Sequence, residues 1–149
     1  MKILVDADAC PARNIVIKVA KEFNLEVLMF VDTSHILEDG YSRIITVGQG
    51  KDAVDIALIN HTEKGDIVVT QDYGVASMAL GKQAYAINFN GLIYDANNID
   101  RLMFERYLSQ KIRRAGGKTS GPKKRNKEAN IQFEKALRKL CELKNRKMP

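Results

Sequence analysis

Five short apolar runs set the limits on what this chain can fold into. They are Lys2 to Asp6, Glu26 to Val31, Arg43 to Val47, Asp66 to Thr70 and Gln83 to Ile87. Each is too short for a helix, and most are separated by segments with helical periodicity. Strands that alternate with helices predict an α/β fold with a mostly parallel central sheet flanked by helices. The run "EVLMFV" is almost entirely apolar, as expected of a strand covered on both faces. Pro11 suits the first turn of a helix, where its missing N–H costs nothing. Ile15, Val19 and Phe23 then form a stripe at four-residue spacing, and Asn24 reads as a stop. Further helices are predicted over Lys51 to Thr62, Val75 to Leu80, Asn97 to Ala115 and Lys127 to Arg146. In the last of these Ile131, Phe133, Leu137, Leu140 and Leu143 are partly periodic. The stretch "NFNGLIYD" is rich in turn residues and suits a small hairpin.

A length of 149 residues fits one domain. The expected layout is a single domain over 1–149. Within it, 116–127 is a basic flexible loop and 128–149 a helical C-terminal extension. No apolar run approaches the roughly 18 residues that a membrane span needs. The three-residue apolar run before Asp6 is not a signal peptide. The expectation is a cytoplasmic protein with no membrane partner, in which Cys10 and Cys141 are free thiols. A homo-oligomer is left open.

Charge is distributed unevenly. Residues 1–105 hold nine Lys/Arg and fifteen Asp/Glu, whereas residues 106–149 hold fifteen Lys/Arg and three Asp/Glu. An acidic body with a basic tail suits a polyanion held near an acidic site, and equally a tail that only keeps the chain soluble.

Ligands of open parallel sheets bind outside the carboxyl ends of the strands. Asp6 and Asp8 follow the first strand, and Asp72 in "VVTQDYG" follows the fourth. Asp52 and Asp55 in "GKDAVDIAL" open the helix after the third. A right-handed crossover would bring that helix start to the same sheet edge. Converging carboxylates need compensation, and Mg²⁺ or Mn²⁺ with oxygen ligands would supply it. Taken singly, each aspartate has a plainer reading. Asp52 with Asp55, Asp72 and Asp8 all stand where helix caps stand. Asp6 resists that reading, because a carboxylate ending a buried strand is costly unless compensated.

The motifs "DADACP", "GKDAVDIAL", "GDIVVTQDYGVASMAL" and "GGKTSGPK" together resemble the YaiI/YqxD family of bacterial proteins, over nearly the whole chain. That family resembles a branch of the PIN-like superfamily. The resemblance implies a parallel sheet with an acidic metal site and, in many members, ribonuclease activity. It matches Asp6 to the acidic end of strand one, Asp55 or Asp52 to the helix position, and Thr70-Gln71-Asp72 to a Thr/Ser-x-Asp pattern. A fourth acidic position has no secure match, and Asp8 is the candidate to replace it.

The resulting expectation is a metal-dependent nuclease acting on RNA. Asp6, Asp72 and Asp55 would serve as Mg²⁺ or Mn²⁺ ligands, with Asp8 as a ligand or base. Thr70 would orient Asp72 or meet a phosphate, and Arg13 would meet a phosphate. Lys111, Arg113, Arg114, Lys118, Lys123 and Lys124, with Arg125, would track a nucleic-acid backbone. Two rivals remain. One is a non-catalytic nucleic-acid-binding or interaction protein with a vestigial acidic site. The other is a phosphatase using Asp6-x-Asp8 as nucleophile and acid/base, although Ala9-Cys10-Pro11 is not the usual continuation of that pair. Cys10 at a helix start resembles a redox thiol, but Arg13 stands where a second cysteine would be needed. His35 and His61 are given no role.

Overall fold

The computed structural model describes residues 1–33, 37–118 and 124–146. Five strands and five helices follow in the order β1 (Lys2–Asp6), α1 (Arg13–Phe23), β2 (Glu26–Asp32), β3 (Arg43–Val47), α2 (Lys51–His61), β4 (Ile67–Val69), α3 (Tyr73–Gly81), β5 (Tyr85–Ile87), α4 (Ala96–Arg114) and α5 (Lys127–Arg146). All strand pairs are parallel, in the order β3-β2-β1-β4-β5. This is the predicted α/β class, and it is consistent with a PIN-like fold.

Side-chain alternation along the strands divides the core in two. Ile3, Val5, Val27, Met29, Ile67, Val69 and Ile87 pack with α1 and α5. Leu4, Leu28, Phe30, Val68 and Ala86 pack with α2, α3 and α4. A sheet covered on both sides explains why β2 is apolar at consecutive positions. The sheet order reverses between β1 and β4. β1 feeds α1 on one face, while β4 feeds α3 on the other. The chains leaving these two strands therefore part and open a crevice at their carboxyl ends.

Local chemistry adjusts several predicted boundaries. Pro11 lies before α1 rather than in its first turn, because Ala12 is the N-cap residue. Asn24 stops α1 as expected, with a left-handed φ of 55° and its N–H on the Ala20 and Lys21 carbonyls. The turn after β5 is a single antiparallel bridge, Ile87 to Ile93, closed by Asn88 N–H to the Leu92 carbonyl at 2.9 Å. Ile131 is 59% exposed, whereas Phe133, Leu137, Leu140 and Cys141 are buried. Residues two apart on a helix point to opposite sides, so Ile131 and Phe133 cannot share the inner face. With Phe133 and Leu137 in the same core as α1, helix α5 forms one wall of the sheet's covering layer. Among the described residues no helix is long and apolar enough to cross a membrane.

Candidate functional site at the carboxyl edge of the sheet

Asp6 is the last residue of β1 and is 3% exposed. By strand alternation its side chain lies on the same face as Leu4, toward α2 and α3. In register, Val5 pairs with Val69 of β4, so Asp6 stands beside Thr70. On its other side Asp6 pairs with Phe30 of β2.

Thr70 is fully buried, and its hydroxyl accepts the Asp72 N–H at 3.0 Å. Its backbone N–H donates to Ile87 at 3.0 Å, and its carbonyl accepts the buried Tyr94 hydroxyl at 3.2 Å. Thr70 is thus a positioning residue for the turn that carries Asp72. Asp72 Oδ1 accepts the Val75 N–H at 3.0 Å and caps α3. Gly74 makes room for it: a Cβ there would lie 3.1 Å from Asp72 Oδ1. The capping reading of Asp72 is therefore realised.

The caps considered for the other aspartates are not formed. The N-cap of α2 is Gly50, with no side-chain cap, and α1 also lacks one. Asp8 instead spans to the neighbouring strand end, where its Oδ2 accepts the Asp32 N–H at 3.0 Å. Asp52 is exposed in the first turn of α2. Asp55 is half-buried, next to the buried Val54 and one turn before the buried Ile59. Because α2 leaves the carboxyl end of β3 and packs across β2 and β1, its first turns lie at that same edge.

Asp32 was missed by the sequence reading. It ends β2 on the Phe30 side, the face on which Asp6 lies. Its signal was a second apolar run ending in Val-Asp, Val31-Asp32, a repeat of Val5-Asp6. The acidic edge thus draws on the ends of β1, β2 and β4 and the start of α2.

Among the basic candidates, Arg13 is half-buried and donates from Nη1 to the Ala7 carbonyl at 2.8 Å, bracing the turn after β1. Helix α4 passes Tyr73 and Gly74 along Met103, Arg106, Tyr107 and Gln110. The Arg106 guanidinium lies 5.9 Å from the Tyr73 ring centre, and Tyr94 meets that ring edge-on. The next turn carries Lys111, Arg113 and Arg114, all exposed, followed by exposed Lys118. Lys123 and His35 lie outside the described residues. Lys124 and Arg125 lie just before α5, on the other side of the crevice. The His61 ring contacts the Ala57 carbonyl within α2 at 2.8 Å.

Cys10 is buried, and desolvation pushes its thiol up to about 11, although Arg13 and Arg125 pull the other way. It is therefore a protonated thiol at neutral pH, not a nucleophile. Burial, more than the neighbouring aspartates, is the cause.

A family profile described as "Uncharacterized BCR, YaiI/YqxD family" matches residues 4–143. A UPF0178 protein of Ruminiclostridium cellulolyticum is 62% identical over 137 residues, covering 92% of this chain and 90% of that one. A UPF0178 protein of Alkaliphilus oremlandii is 55% identical over 137 residues, covering 92% and 88%. One from Clostridium acetobutylicum is 54% identical over 142 residues, covering 94% and 96%. No solved structure matches. The matched span runs from β1 into α5 and so takes in the whole acidic edge; the chain belongs to the YaiI/YqxD family.

Proposed function

We propose that this protein is a metal-dependent ribonuclease of PIN-like type, hydrolysing phosphodiesters at the acidic edge. The observation that carries this reading is the position of Asp6 and Asp72 at the ends of β1 and β4, on either side of the point where the sheet order reverses. Among the described residues no group of three or more His, Cys, Asp or Glu side chains is poised to hold an ion alone. An all-oxygen edge fits Mg²⁺ or Mn²⁺ in another way. Mg²⁺ commonly takes one or two carboxylates and completes its shell with water and substrate phosphate oxygens.

In this reading Asp6 and Asp72 would hold the ion, and Asp55 would orient a water beside it. Asp8 fixes the β1 turn against β2 through the Asp32 N–H. Thr70 sets Asp72 through the backbone and does not touch substrate, because its hydroxyl is buried. When bound, the metal supplies a water of lowered pKa and offsets charge on the phosphoryl oxygens. Lys111, Arg113, Arg114 and Lys118 follow the strand's phosphates beyond Tyr73, a contact that weakens with salt.

One observation favours a second reading, an RNA-binding module without turnover. Asp72 and Asp8 both accept backbone N–H groups and so have structural work of their own. Incubating single-stranded RNA with the protein in Mn²⁺, Mg²⁺ or EDTA separates the two. The nuclease reading expects cleavage that needs metal. It also expects the Asp6→Asn, Asp72→Asn double variant to fall about a thousandfold, as when several kcal/mol of metal-derived stabilisation are lost. Salt-sensitive binding with no cleavage in any metal would favour the binding module.

A further inference from the structure

Helix α4 begins on the domain and then leaves it. Ile99 is buried, and Leu102 packs in the core beside α3. From Met103 to Arg114 every residue but Ser109 is exposed. Those residues make about three turns of helix. A helix of that length is marginal in water unless an apolar face of it is covered.

An apolar face is present. Phe104, Leu108 and Ile112 recur at four-residue spacing, and Met103 and Tyr107 form the row beside them. Each of the five is between 42% and 59% exposed. Phe104 stands two residues after Leu102, so it points away from the core. At about 200 Å² for a large side chain, the five together expose about 500 Å² per protomer. Monomers seldom show so large an apolar patch. Two copies joined on it would bury about 1,000 Å² from these side chains alone, the size at which specific interfaces begin.

Charge selects the partner and its direction. Residues 96–105 hold Asp100 and Glu105 against Arg101, and Asp95 caps this half. Residues 106–114 hold Arg106, Lys111, Arg113 and Arg114 and no acid. A parallel pair of such helices would set basic half on basic half. An antiparallel pair sets each basic half along the other's acid-bearing half and opposes the two helix dipoles. The helix thus complements a reversed copy of itself, and a two-fold axis at the centre of the patch gives that arrangement. A nucleic-acid strand would meet the charges of this helix but leave Leu108 and Ile112 uncovered.

We propose that this face is a homodimer interface, in which α4 packs antiparallel against α4 of a second copy about a two-fold axis near Tyr107 and Leu108. Phe104 then lies level with the partner's Lys111. The seam passes the carboxyl edge of the sheet, because Met103, Arg106 and Tyr107 border Tyr73 and Gly74, next to Asp72. The pairing does not rest on the nuclease reading.

Sedimentation equilibrium of the full chain in EDTA, without RNA, tests the interface. The wild type is expected to run as a dimer of the 16.7 kDa chain at about 100 μM. The Phe104→Glu, Leu108→Glu double variant changes only exposed positions. It should keep its circular dichroism and weaken dimerisation about a hundredfold or more. Ile131→Glu, on the exposed side of α5, should leave the dimer intact. Direction is read by cross-linking under mild oxidation, in which the native Cys10 and Cys141 are buried. Phe104→Cys mixed with Lys111→Cys should give a linked heterodimer, and neither should link to itself. A wild type that stays monomeric at that concentration, or a dimer that the double variant leaves intact, would overturn the interface. Self-linked Phe104→Cys would overturn the antiparallel arrangement. A monomer whose RNA binding falls in the double variant would assign the face to nucleic acid instead. Cleavage is scored separately, so a dimer that cleaves no RNA would sink the nuclease reading and leave the pairing standing.

Discussion

Replacing Phe133 by alanine is expected to lower the free energy of unfolding by about 3–5 kcal/mol, the usual cost of deleting a buried phenyl ring. Phe133 is fully buried, in the core that joins α5 to α1 and to the β1, β2, β4 and β5 strands. The backbone beneath it is packed closely. A Cβ on Gly91, in the turn after β5, would come within 2.5 Å of the Gln132 carbonyl. Arg138 fastens the outer side of α5 to Glu22 of α1, with a second hydrogen bond at 2.9 Å. Denaturant unfolding would show the loss as a lowered midpoint at unchanged slope. A change below about 1 kcal/mol would mean that α5 rests on the domain as a detachable arm. The frame holding Lys124 and Arg125 would then fail with it.

Replacing Asp66 by alanine is expected to cost about 3 kcal/mol, as when a buried ion pair loses one partner. Asp66 stands at the amino edge of β4, away from the acidic crevice, and its side chain is 4% exposed. Oδ2 accepts Lys2 Nζ at 2.7 Å and the Glu63 N–H at 2.8 Å, and Oδ1 accepts the Lys2 N–H at 3.1 Å. The substitution leaves the half-buried ammonium with Glu63 alone and strands two backbone donors, the Lys2 and Glu63 N–H groups. Burial alone would lower the Lys2 pKa, but its bonds to Asp66 and Glu63 outweigh that and raise it. A raised lysine pKa stabilises the fold fully below the unfolded value and less as pH climbs through the folded one. The difference between wild type and Asp66→Ala should therefore hold from neutral pH upward and shrink above about pH 10. Thermal unfolding at pH 7 and pH 11 checks the sign. A gap that widened at alkaline pH would contradict this pairing.

The strands were legible because their apolar runs are short and bounded, and a sheet buried on both faces needs such runs. The α/β class followed from their alternation with helices. Strand order did not follow. Nothing local in "DIVVT" says that β4 lies against β1, yet that neighbour relation places Asp6 beside Thr70. Asp32 escaped notice because an aspartate closing an apolar run reads as the start of a loop. Only the pairing of β1 with β2 shows it on the Asp6 face. Asp72 was legible twice, as a cap and as an acidic site residue, and the cap is visible in the fold. By sequence Arg125 is one charge among several in a basic stretch. Its bonds to Phe89, Asn90 and Asn130 are long-range or depend on the α5 start, so no spacing rule finds them.

In the proposed nuclease the carboxyl-edge aspartates would hold a divalent ion together with a phosphate. Manganese binding followed by electron paramagnetic resonance tests it most directly, with and without a cleavage-resistant single-stranded RNA. Weak Mn²⁺ binding by the protein alone is expected, with about tenfold or more tightening with RNA as phosphate oxygens complete the shell, and loss of that tightening in Asp6→Asn. Mn²⁺ binding that ignores RNA and survives Asp6→Asn would contradict it.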